Sequence, residues 1–502
     1  MTIDLTKEEI KQRSITGAKW LIIMNFAGMP LPFLTAMLLG RMGPATLGTY
    51  SLVQILIGII TTFIIYGGSP VLSVFIPKIK DRKILGNFIF SYLLIISILM
   101  IFSLIAFRLF PGLFEFLLRS EFDMNNFRWF VWLSVIVVFS ESFANIATGL
   151  MLIKINAISR QMVRLFVFVV VLTLFWWKPE ILRLHGIQSI SGGFVLGYIL
   201  SIIICHIGIL KDRRLEIKPG WFLPKGFWTL SISIMMGTVF TFIYGNFDRV
   251  VILSVKNTKE LGMYQAVLSL SSLINVIPQI LGTSLIPLFA SLLATKKMES
   301  VCKLYYMVQR IGSLIMVISA LFLIVFSNEC LSLFGSLYTS YSYLLILFCI
   351  SAVITSPYFG NTPVLIATEK NMFRLAVSLG QILVQVILTL LFLKKYDILA
   401  IAGAKIIGVI CAQITCIFYV TKKSKMGLKL PNSYKISVIL VLIVAILKIK
   451  IISFNLFSSV LLFLISLCTV WFASGFSYNE IKTIISIFIN RTAKKENAQI
   501  VK

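Results

Sequence analysis

The sequence predicts an all-α integral membrane protein with about fourteen transmembrane helices, and three observations support this fold class. The chain of 502 residues is 58% hydrophobic and only 13% charged, roughly half the charged fraction of a typical soluble domain. Apolar runs of about 20 residues recur along it, the length that a helix needs to cross the hydrocarbon of a bilayer. Lysine and arginine are abundant in every second connection between these runs, as expected when cytoplasmic loops retain positive charge.

Windows of about 19 residues define the predicted spans. They lie near residues 17–40, 47–70, 84–109, 129–153, 162–178, 187–210, 227–247, 261–293, 308–328, 341–366, 373–393, 397–420, 435–452 and 454–474. Basic residues are concentrated before the first span and after each even-numbered span. The number of spans is therefore even, and both termini are predicted to be cytoplasmic. Thirteen spans would place the Lys422 to Lys435 cluster and the basic C-terminal tail on opposite faces.

The composition argues against several other classes of protein. The net charge of +27 is spread between apolar runs, whereas a nucleic-acid-binding protein carries a basic patch or arm. The seven cysteines form no C-x-x-C pair and the chain has only two histidines, so metal and redox sites are not expected. The sequence has no phosphate-binding loop, which argues against ATP as an energy source. We therefore expect no cofactor.

The two halves of the chain share a short repeated pattern. Leu47-Gly48-Thr49-Tyr50 opens the second span, and Leu261-Gly262-Met263-Tyr264 opens the eighth. Six spans separate the copies, so they share one orientation and indicate a parallel repeat about an axis along the membrane normal. The alternative to a true repeat is that the two copies match by chance in a leucine-rich chain. The predicted domains are an N-terminal lobe of six helices (1–225), a C-terminal lobe of six (226–425), and an accessory helix pair with a cytoplasmic tail (426–502).

These motifs carry a resemblance to a known family. The string Gly43-Pro44-x-x-x-Gly48-x-Tyr50-Ser51-Leu52, and Phe247-Asp248-Arg249 followed by Leu261-Gly262-x-Tyr264, resemble the polysaccharide-transporter branch of the multidrug/oligosaccharidyl-lipid/polysaccharide (MOP) exporter superfamily, which includes O-antigen flippases. The resemblance covers nearly the whole chain and implies a two-lobed fold like that of the MATE transporters. The family usually carries an arginine three residues before the Gly-Pro glycine, whereas Arg41 lies two before Gly43.

The resemblance also implies a function and partners. The expected function is translocation of undecaprenyl-pyrophosphate-linked oligosaccharide, by alternating access, from the inner to the outer leaflet of the bacterial cytoplasmic membrane, with no enzymatic activity. The expected partners are this lipid-linked oligosaccharide, membrane lipid, and a polymerase or other polysaccharide-assembly proteins, and the chain is expected to be a monomer.

Ionisable residues inside spans are costly and are therefore candidates for function. A cationic cavity for the pyrophosphate is predicted from Arg249, Lys405, Arg41 and Arg310. Three of them have an alternative: a capping pair with Asp248 at the membrane surface for Arg249, snorkelling along its aliphatic stem for Lys405, and a solvated anchor at the inner end of a helix for Arg310. Arg164 is interpreted in the same way as Arg310, as an anchor that could also help to admit the anionic headgroup from the inner leaflet.

Acidic and amide side chains complete the predicted site. Glu141, near the middle of the fourth span, and Asp248 are candidates for coupling to protons or sodium, since burial favours the neutral form of a carboxyl group. Glu141 could instead be a structural carboxyl paired across the bundle. The predicted polar lining is Asn25, Gln54, Asn275, Gln279 and Gln385, each of which could also serve only to join helices. Glycine and proline clusters predict interrupted helices at matching places in the two halves, near Gly67 to Pro70 and Pro278 to Pro287.

Two other functions compete with the flippase. A cation-coupled multidrug exporter would share the architecture, but its cavity is expected to be aromatic and acidic rather than cationic. A membrane-embedded polymerase or glycosyltransferase would need long external loops or a carboxylate-rich cytoplasmic domain, and the chain shows neither.

Overall fold

A computed structural model describes most of the membrane-embedded part of the chain. The described residues are 20, 23–24, 27–65, 67–79, 81–109, 124–212, 219–294, 298–358, 360–361, 364–365, 368, 371–424, 432–450 and 456–474. Their secondary structure is helical, and no strand occurs within these ranges. The predicted all-α class is therefore confirmed.

The described residues of the first half of the chain contain eight helices. The helices are α1 (Pro30–Met42), α2 (Pro44–Ile64), α3 (Gly68–Phe75), α4 (Arg82–Leu109), α5 (Met124–Gly149), α6 (Ile153–Trp177), α7 (Pro179–Leu184) and α8 (Gly186–Leu210), with a 3₁₀ turn at Ile76–Lys78. Asp81 caps α4, because its carboxylate accepts the backbone N–H groups of Lys83 and Ile84. These hydrogen bonds hold the pKa of Asp81 below its ordinary value.

The described residues of the second half also contain eight helices. Its helices are α9 (Phe227–Val255), α10 (Thr258–Ala294), α11 (Met298–Val325), α12 (Ser327–Ser332), α13 (Ser342–Thr355), α14 (Asn371–Ser424), α15 (Asn432–Lys450) and α16 (Leu456–Ser474), with 3₁₀ turns at Ser336–Tyr341 and Ser356–Tyr358. α14 is two helices joined at Asp397, whose backbone is non-helical. Asp397 is the first residue of the predicted twelfth span, which follows the eleventh after a short gap.

Helix occupies part of each of the fourteen predicted spans. Within the described ranges, nine helical segments are long and apolar enough to cross a membrane, one of them the 49-residue segment Met372–Val420, which includes the break at Asp397. Large apolar side chains such as Leu390 and Phe418 are exposed along these helices, which a soluble protein would not tolerate over such an area. The chain is a multi-pass membrane protein; the count of fourteen stays a prediction.

Tryptophan residues lie where helices are expected to leave the bilayer. Trp176 and Trp177 end α6, and Trp129 and Trp132 lie in the first third of α5, all with exposed rings. Tryptophan is enriched at membrane–water interfaces because its ring is apolar and its N–H is polar. These two helix ends were predicted to lie on the same, outer side of the membrane, and this orientation stays a prediction.

Several predicted span ends were wrong, and charged residues explain the errors. The seventh span was ended at 247, whereas α9 continues to Val255 and contains Asp248 and Arg249. The fifth and ninth were begun at 162 and 308, whereas α6 begins at Ile153 and α11 at Met298. A hydropathy window stops at ionisable residues, but a helix can carry them into the membrane where they pair or line a cavity.

Helices are interrupted in both halves, by the turn at Gly67 and by the 3₁₀ turn at Ser356–Tyr358, but not at matching places. Between α2 and α3 the chain turns at Gly67 and Gly68, whose φ angles of 83° and 47° suit glycine because it has no Cβ. In contrast, α10 is an unbroken helix from Thr258 to Ala294. The expectation of interruptions at matching places is therefore wrong, since the proline at 278 is accommodated within a continuous helix.

The chain divides into two compact units. The first comprises Met1–Leu270, Asn328–Leu344 and Asn371–Ala412, and the second comprises Ser271–Ser327, Leu345–Lys370 and Gln413–Lys502. In the first unit, α8 packs closely on α6, where a Cβ at Gly197 would lie 2.7 Å from the Cα of Val163. In the second unit, the hydroxyl of Tyr434 donates to the carbonyl of Val353. The predicted division into lobes of six, six and two helices stays a prediction.

The turn at Gly67 gives a prediction about stability. We expect Gly67→Ala to destabilise the fold by about 1–2 kcal/mol, because a Cβ is strained at positive φ and would lie 2.6 Å from Val71 Cγ2. Gly192→Ala is the matched control, since its Cβ would meet open space. Thermal unfolding in detergent, followed by a thiol-reactive dye at the buried Cys205 and Cys349, measures the effect. Equal melting temperatures for the two variants would contradict the prediction.

Candidate functional site

Two clusters of ionisable side chains lie within the first unit. One surrounds an open cavity that we call the arginine cavity, and the other is a buried ion pair between α9 and α14 that we call the buried pair. They differ in exposure and in net charge, and these differences determine what each can do.

The arginine cavity has a volume of about 330 Å³, within the range of roughly 300–1,000 Å³ of small-molecule sites. Five helices, α1, α2, α5, α6 and α8, supply its walls. The lining residues are Pro32, Thr35, Tyr50, Gln54, Glu141, Arg160, Val163, Arg164, Val167, Phe194 and Tyr198.

The packing of α8 on α6 positions the two arginines. Gly193 and Gly197 allow α8 to approach the backbone of α6 at Val167 and Val163, as small residues do between membrane helices. Arg160 and Arg164 are four residues apart on α6, so they lie on one face. That face lines the cavity together with Val163 and Val167.

The cavity carries a net positive charge. Arg160 pairs with Glu141 through Nη2 and Oε2 at 3.0 Å, with side-chain exposures of 47% and 20%. Arg160 Nε also donates to Asn156 Oδ1 at 3.1 Å, which fixes the guanidinium. Arg164 makes only a long contact of 3.4 Å with Gln161 Oε1, and no carboxylate within the described ranges pairs with it. Two arginines against one glutamate leave one positive charge free to bind an anion.

Three aromatic rings form one wall of this cavity. The Tyr50 and Phe194 rings are stacked with centroids 6.2 Å apart and planes at 16°. Phe194 and Tyr198 are stacked at the same distance with planes at 22°. Such rigid faces provide contact area with little loss of side-chain entropy, and together with the arginines they make the cavity both apolar and cationic.

The buried pair joins residues that are 157 positions apart in the chain. Lys405 Nζ lies 2.7 Å from Asp248 Oδ2, with side-chain exposures of 14% and 0%. The hydroxyl of Tyr264 donates to the same oxygen at 2.6 Å. The other carboxylate oxygen, Asp248 Oδ1, is buried and has no partner among the described residues.

This arrangement changes the interpretation of Asp248 and Lys405. The sequence predicted Lys405 as a cavity cation and Asp248 as a separate coupling acid, but the two form one ion pair of zero net charge. An isolated charge in hydrocarbon is costly, and pairing removes most of that cost. A ligand anion could reach Lys405 only by displacing Asp248, so the arginine cavity is the stronger anion site. The roles assigned to this pair stay predictions.

The remaining predicted residues are dispersed. In the first unit, the half-buried Arg249 makes a 3.5 Å contact from Nη2 to the carbonyl of Gly245, and the exposed Arg41 donates through Nε to the carbonyl of Leu333 at 3.0 Å. Gln385 is 1% exposed, and neither atom of its amide has a partner in the described part of the chain.

Other predicted residues lie elsewhere or are not described. Arg310 on α11 and Asn275 on α10 are half-buried in the second unit. Asn25 and the side chain of Gln279 lie outside the described residues. Among the described residues, no group of three His, Cys, Asp or Glu side chains could hold a metal ion.

Sequence reasoning missed Arg160, Phe194 and Tyr198 as site residues and treated Arg164 as an inner-end anchor. Arg160 was left in a cytoplasmic loop because the fifth span was begun at 162, and Arg164 was placed in the first turn of that span. Their spacing of four residues, with Val163 and Val167 on the same face, could have indicated a helix surface. The stacking of Phe194 on Tyr50 had no such signal, because it joins helices far apart in the sequence.

Comparison with solved structures shows which fold the chain adopts. The lipid II flippase MurJ in an inward closed conformation is 16% identical, with a TM-score of 0.67 over 94% of this chain and 99% of that one. An inward-facing multidrug resistance MATE family transporter is 13% identical, with a TM-score of 0.66 over 80% and 98%. A MOP superfamily transporter from Pyrococcus furiosus is 13% identical, with a TM-score of 0.59 over 82% and 95%.

The fold is therefore that of the MOP superfamily of transporters and flippases. A sequence profile described as "Polysaccharide biosynthesis protein" matches residues 14–293, more than half of the chain. The chain belongs to this family. No curated protein matches it in sequence.

The buried pair gives a prediction about stability. We expect Asp248→Asn and Lys405→Met each to destabilise the protein by about 3–5 kcal/mol, because each leaves its partner buried without a counter-charge. The double variant should recover much of this loss. The exposed pair of Lys256 and Asp397 at 2.6 Å is the control, and Asp397→Asn should change stability little. Unfolding by detergent titration in a double-mutant cycle measures these values; additive losses at Asp248 and Lys405 would contradict a coupled pair.

Proposed function

We propose that the protein is a flippase for polyprenyl-pyrophosphate-linked oligosaccharide, such as an O-antigen or a similar surface-polysaccharide repeat unit. The observation that carries the proposal is the net positive arginine cavity inside a membrane transporter of a polysaccharide biosynthesis family. An arginine that faces this cavity without a carboxylate partner favours an anionic cargo. The likeness to a lipid II flippase supports the proposal.

The cavity suggests how the cargo is held. Arg164 and Arg160 would bind the pyrophosphate, since a guanidinium binds phosphate oxygens through paired N–H donors. The stacked wall of Tyr50, Phe194 and Tyr198 would face the first sugar. The cavity volume of about 330 Å³ fits such a headgroup rather than a whole oligosaccharide, and the prenyl tail would stay in lipid.

Glu141 would adjust the strength of anion binding. Its carboxylate holds Arg160 at 3.0 Å, so part of the positive charge is already compensated. Cargo that is bound too tightly cannot be released on the other side of the membrane. We propose that this partial compensation keeps the headgroup affinity low enough for transport.

The proposal also implies a membrane location, a direction of transport and partner proteins. The protein would lie in the bacterial cytoplasmic membrane with both termini inside, and would carry its cargo from the inner to the outer leaflet by alternating access. Polymerase and other assembly proteins would receive the product. Coupling to protons or sodium would use Asp248 or Glu141, the two carboxylates within the described clusters of the first unit.

A cation-coupled multidrug exporter is the second candidate. The favouring observation is the likeness to MATE transporters, together with a carboxylate and aromatic rings in one cavity. The two candidates differ in the charge of the cargo: an exporter of cationic drugs would be hindered by Arg160 and Arg164, and their removal would increase its activity.

Cells provide the first test of the flippase proposal. A deletion strain is expected to lose its surface polysaccharide and to accumulate the lipid-linked repeat unit, accessible only from the inner leaflet. Normal surface polysaccharide, without such accumulation, would reject the proposal. Increased sensitivity to cationic dyes instead would favour the exporter.

The arginine cavity provides the second test. We expect Arg164→Gln to reduce translocation of lipid-linked oligosaccharide about tenfold or more, because a hydrogen bond to a charged group contributes about 1.5–3 kcal/mol and 1.4 kcal/mol is a factor of ten. Lys303→Gln is the control, since Lys303 is exposed and pairs with Glu299 one turn away. Translocation in proteoliposomes with equal amounts of inserted protein measures the loss. Equal rates for the two variants would remove Arg164 from the site.

Coupling has a separate test. If Asp248 exchanges the coupling ion, Asp248→Asn combined with Lys405→Met should fold but should lose the dependence of transport on an ion gradient. Transport that responds normally to proton and sodium gradients in this variant would reject Asp248 as the coupling residue. The same measurement on Glu141→Gln tests the other carboxylate.

A further inference from the structure

The two copies of Leu-Gly-x-Tyr lie against each other in the first unit. A Cβ on Gly48 of α2 would lie 1.8 Å from the carbonyl oxygen of Thr258, and a Cβ on Gly262 of α10 would lie 1.8 Å from the carbonyl oxygen of Pro44. Gly48 and Gly262 are 214 positions apart, and so are Pro44 and Thr258. The contact is therefore reciprocal, as at a two-fold interface, where each side presents the same residues to the other.

A hydrogen bond extends this contact by one helical turn. Ser51 donates through its hydroxyl to Gln265 Oε1 at 3.0 Å, and both residues are buried, again with a separation of 214 positions. We call the contact formed by Gly48, Gly262, Ser51 and Gln265 the glycine seam. It lies at the end of α2 and α10 that was predicted to face outward. No residue larger than glycine fits at its two closest points, because the backbones are in direct contact.

Each copy also places its tyrosine in a charged cluster of its own half. Tyr50, two residues after Gly48, lines the arginine cavity. Tyr264, two residues after Gly262, donates its hydroxyl to Asp248 in the buried pair. One turn of helix therefore connects the seam to a charged cluster on each side.

We propose that the Leu-Gly-x-Tyr copies couple closure of the outward end to the state of the two clusters. Separation of α2 from α10 opens the seam, and because each tyrosine is on the same turn as its glycine, the movement shifts Tyr50 relative to the arginines and Tyr264 relative to Asp248. In reverse, the hydrogen bond from Tyr264 to Asp248 holds α10 in the closed position. Tyr264 is thus a positioning residue. The inference rests on the proposed alternating access, but its test requires no cargo.

Exposed residues allow the seam to be measured directly. Ala45 and Lys259 lie on α2 and α10, are both exposed, and are also 214 positions apart. Spin labels on cysteines at these positions, in a full-length chain whose seven native cysteines are replaced by serine or alanine, report the separation of the helices by double electron–electron resonance in nanodiscs. We expect one dominant short distance for the otherwise unaltered chain.

The glycine variants test the seam. In Gly48→Ala and Gly262→Ala the new Cβ must move from 1.8 Å to at least 3.0 Å from the facing carbonyl oxygen. The helices must therefore separate, and the main distance between the two spin labels should become longer. Gly192→Ala, whose Cβ would meet open space, should leave the distance unchanged. An unchanged distance in the folded glycine variants would overturn the seam as a constraint.

A tyrosine variant tests the coupling and does not depend on whether the glycine variants fold. Tyr264→Phe keeps the ring and removes only the hydroxyl, so it should shift a larger fraction of molecules to the longer distance. Tyr92→Phe is the matched control, because Tyr92 is also fully buried and donates its hydroxyl to the carbonyl of Ile65 away from the seam. Equal distance distributions for Tyr264→Phe and Tyr92→Phe would overturn the coupling. If the spin-label distances change as expected but a deletion strain keeps its surface polysaccharide, the proposed cargo is wrong and the coupling stands.

Discussion

Charge inside a bilayer must be neutralised or kept near water, and this constraint organises the first unit. Asp248 is fully buried and is paired with Lys405, and Tyr264 donates to the same carboxylate oxygen. Arg160 and Arg164 are more exposed and face a cavity, where one glutamate compensates only one of them. One cluster is therefore closed and neutral, and the other is open and cationic. Because of this difference, we propose that the buried pair serves structure or ion coupling and that the arginine cavity binds the cargo.

Close helix packing makes both clusters possible. Glycines on α8 bring α6 near enough for its arginines to share a cavity with Tyr50 and Phe194. Glycines on α2 and α10 bring the two repeat copies into backbone contact, and Tyr264 on the same turn of α10 donates to Asp248. Lipid provides no hydrophobic force between helices, so such packing and interhelical hydrogen bonds hold the bundle together. The same residues that stabilise the fold thus position the charged side chains.

The sequence predicted the fold class well because lipid imposes a simple rule on hydropathy and charge. The Leu-Gly-x-Tyr repeat, read only as a marker of symmetry, proved to be a point of contact between the two copies. The site was harder to predict. Asp248 and Lys405 were singled out as costly charges, but their pairing depends on the packing of α9 against α14, which no local pattern shows. Arg160 was missed, and Arg164 was interpreted as an anchor, because hydropathy ends a span at the charges that a cavity requires.

The central claim is that the arginine cavity binds an anion and that Glu141 offsets part of its charge. The most direct test is the affinity of the purified protein in nanodiscs for undecaprenyl pyrophosphate, with uncharged undecaprenol as the reference lipid. Glu141→Gln removes the offsetting charge, so it should bind undecaprenyl pyrophosphate more tightly than the unaltered protein and undecaprenol equally. Glu299→Gln, a change at an exposed carboxylate, should alter neither. Unchanged or weaker binding of the pyrophosphate lipid by Glu141→Gln would contradict the account.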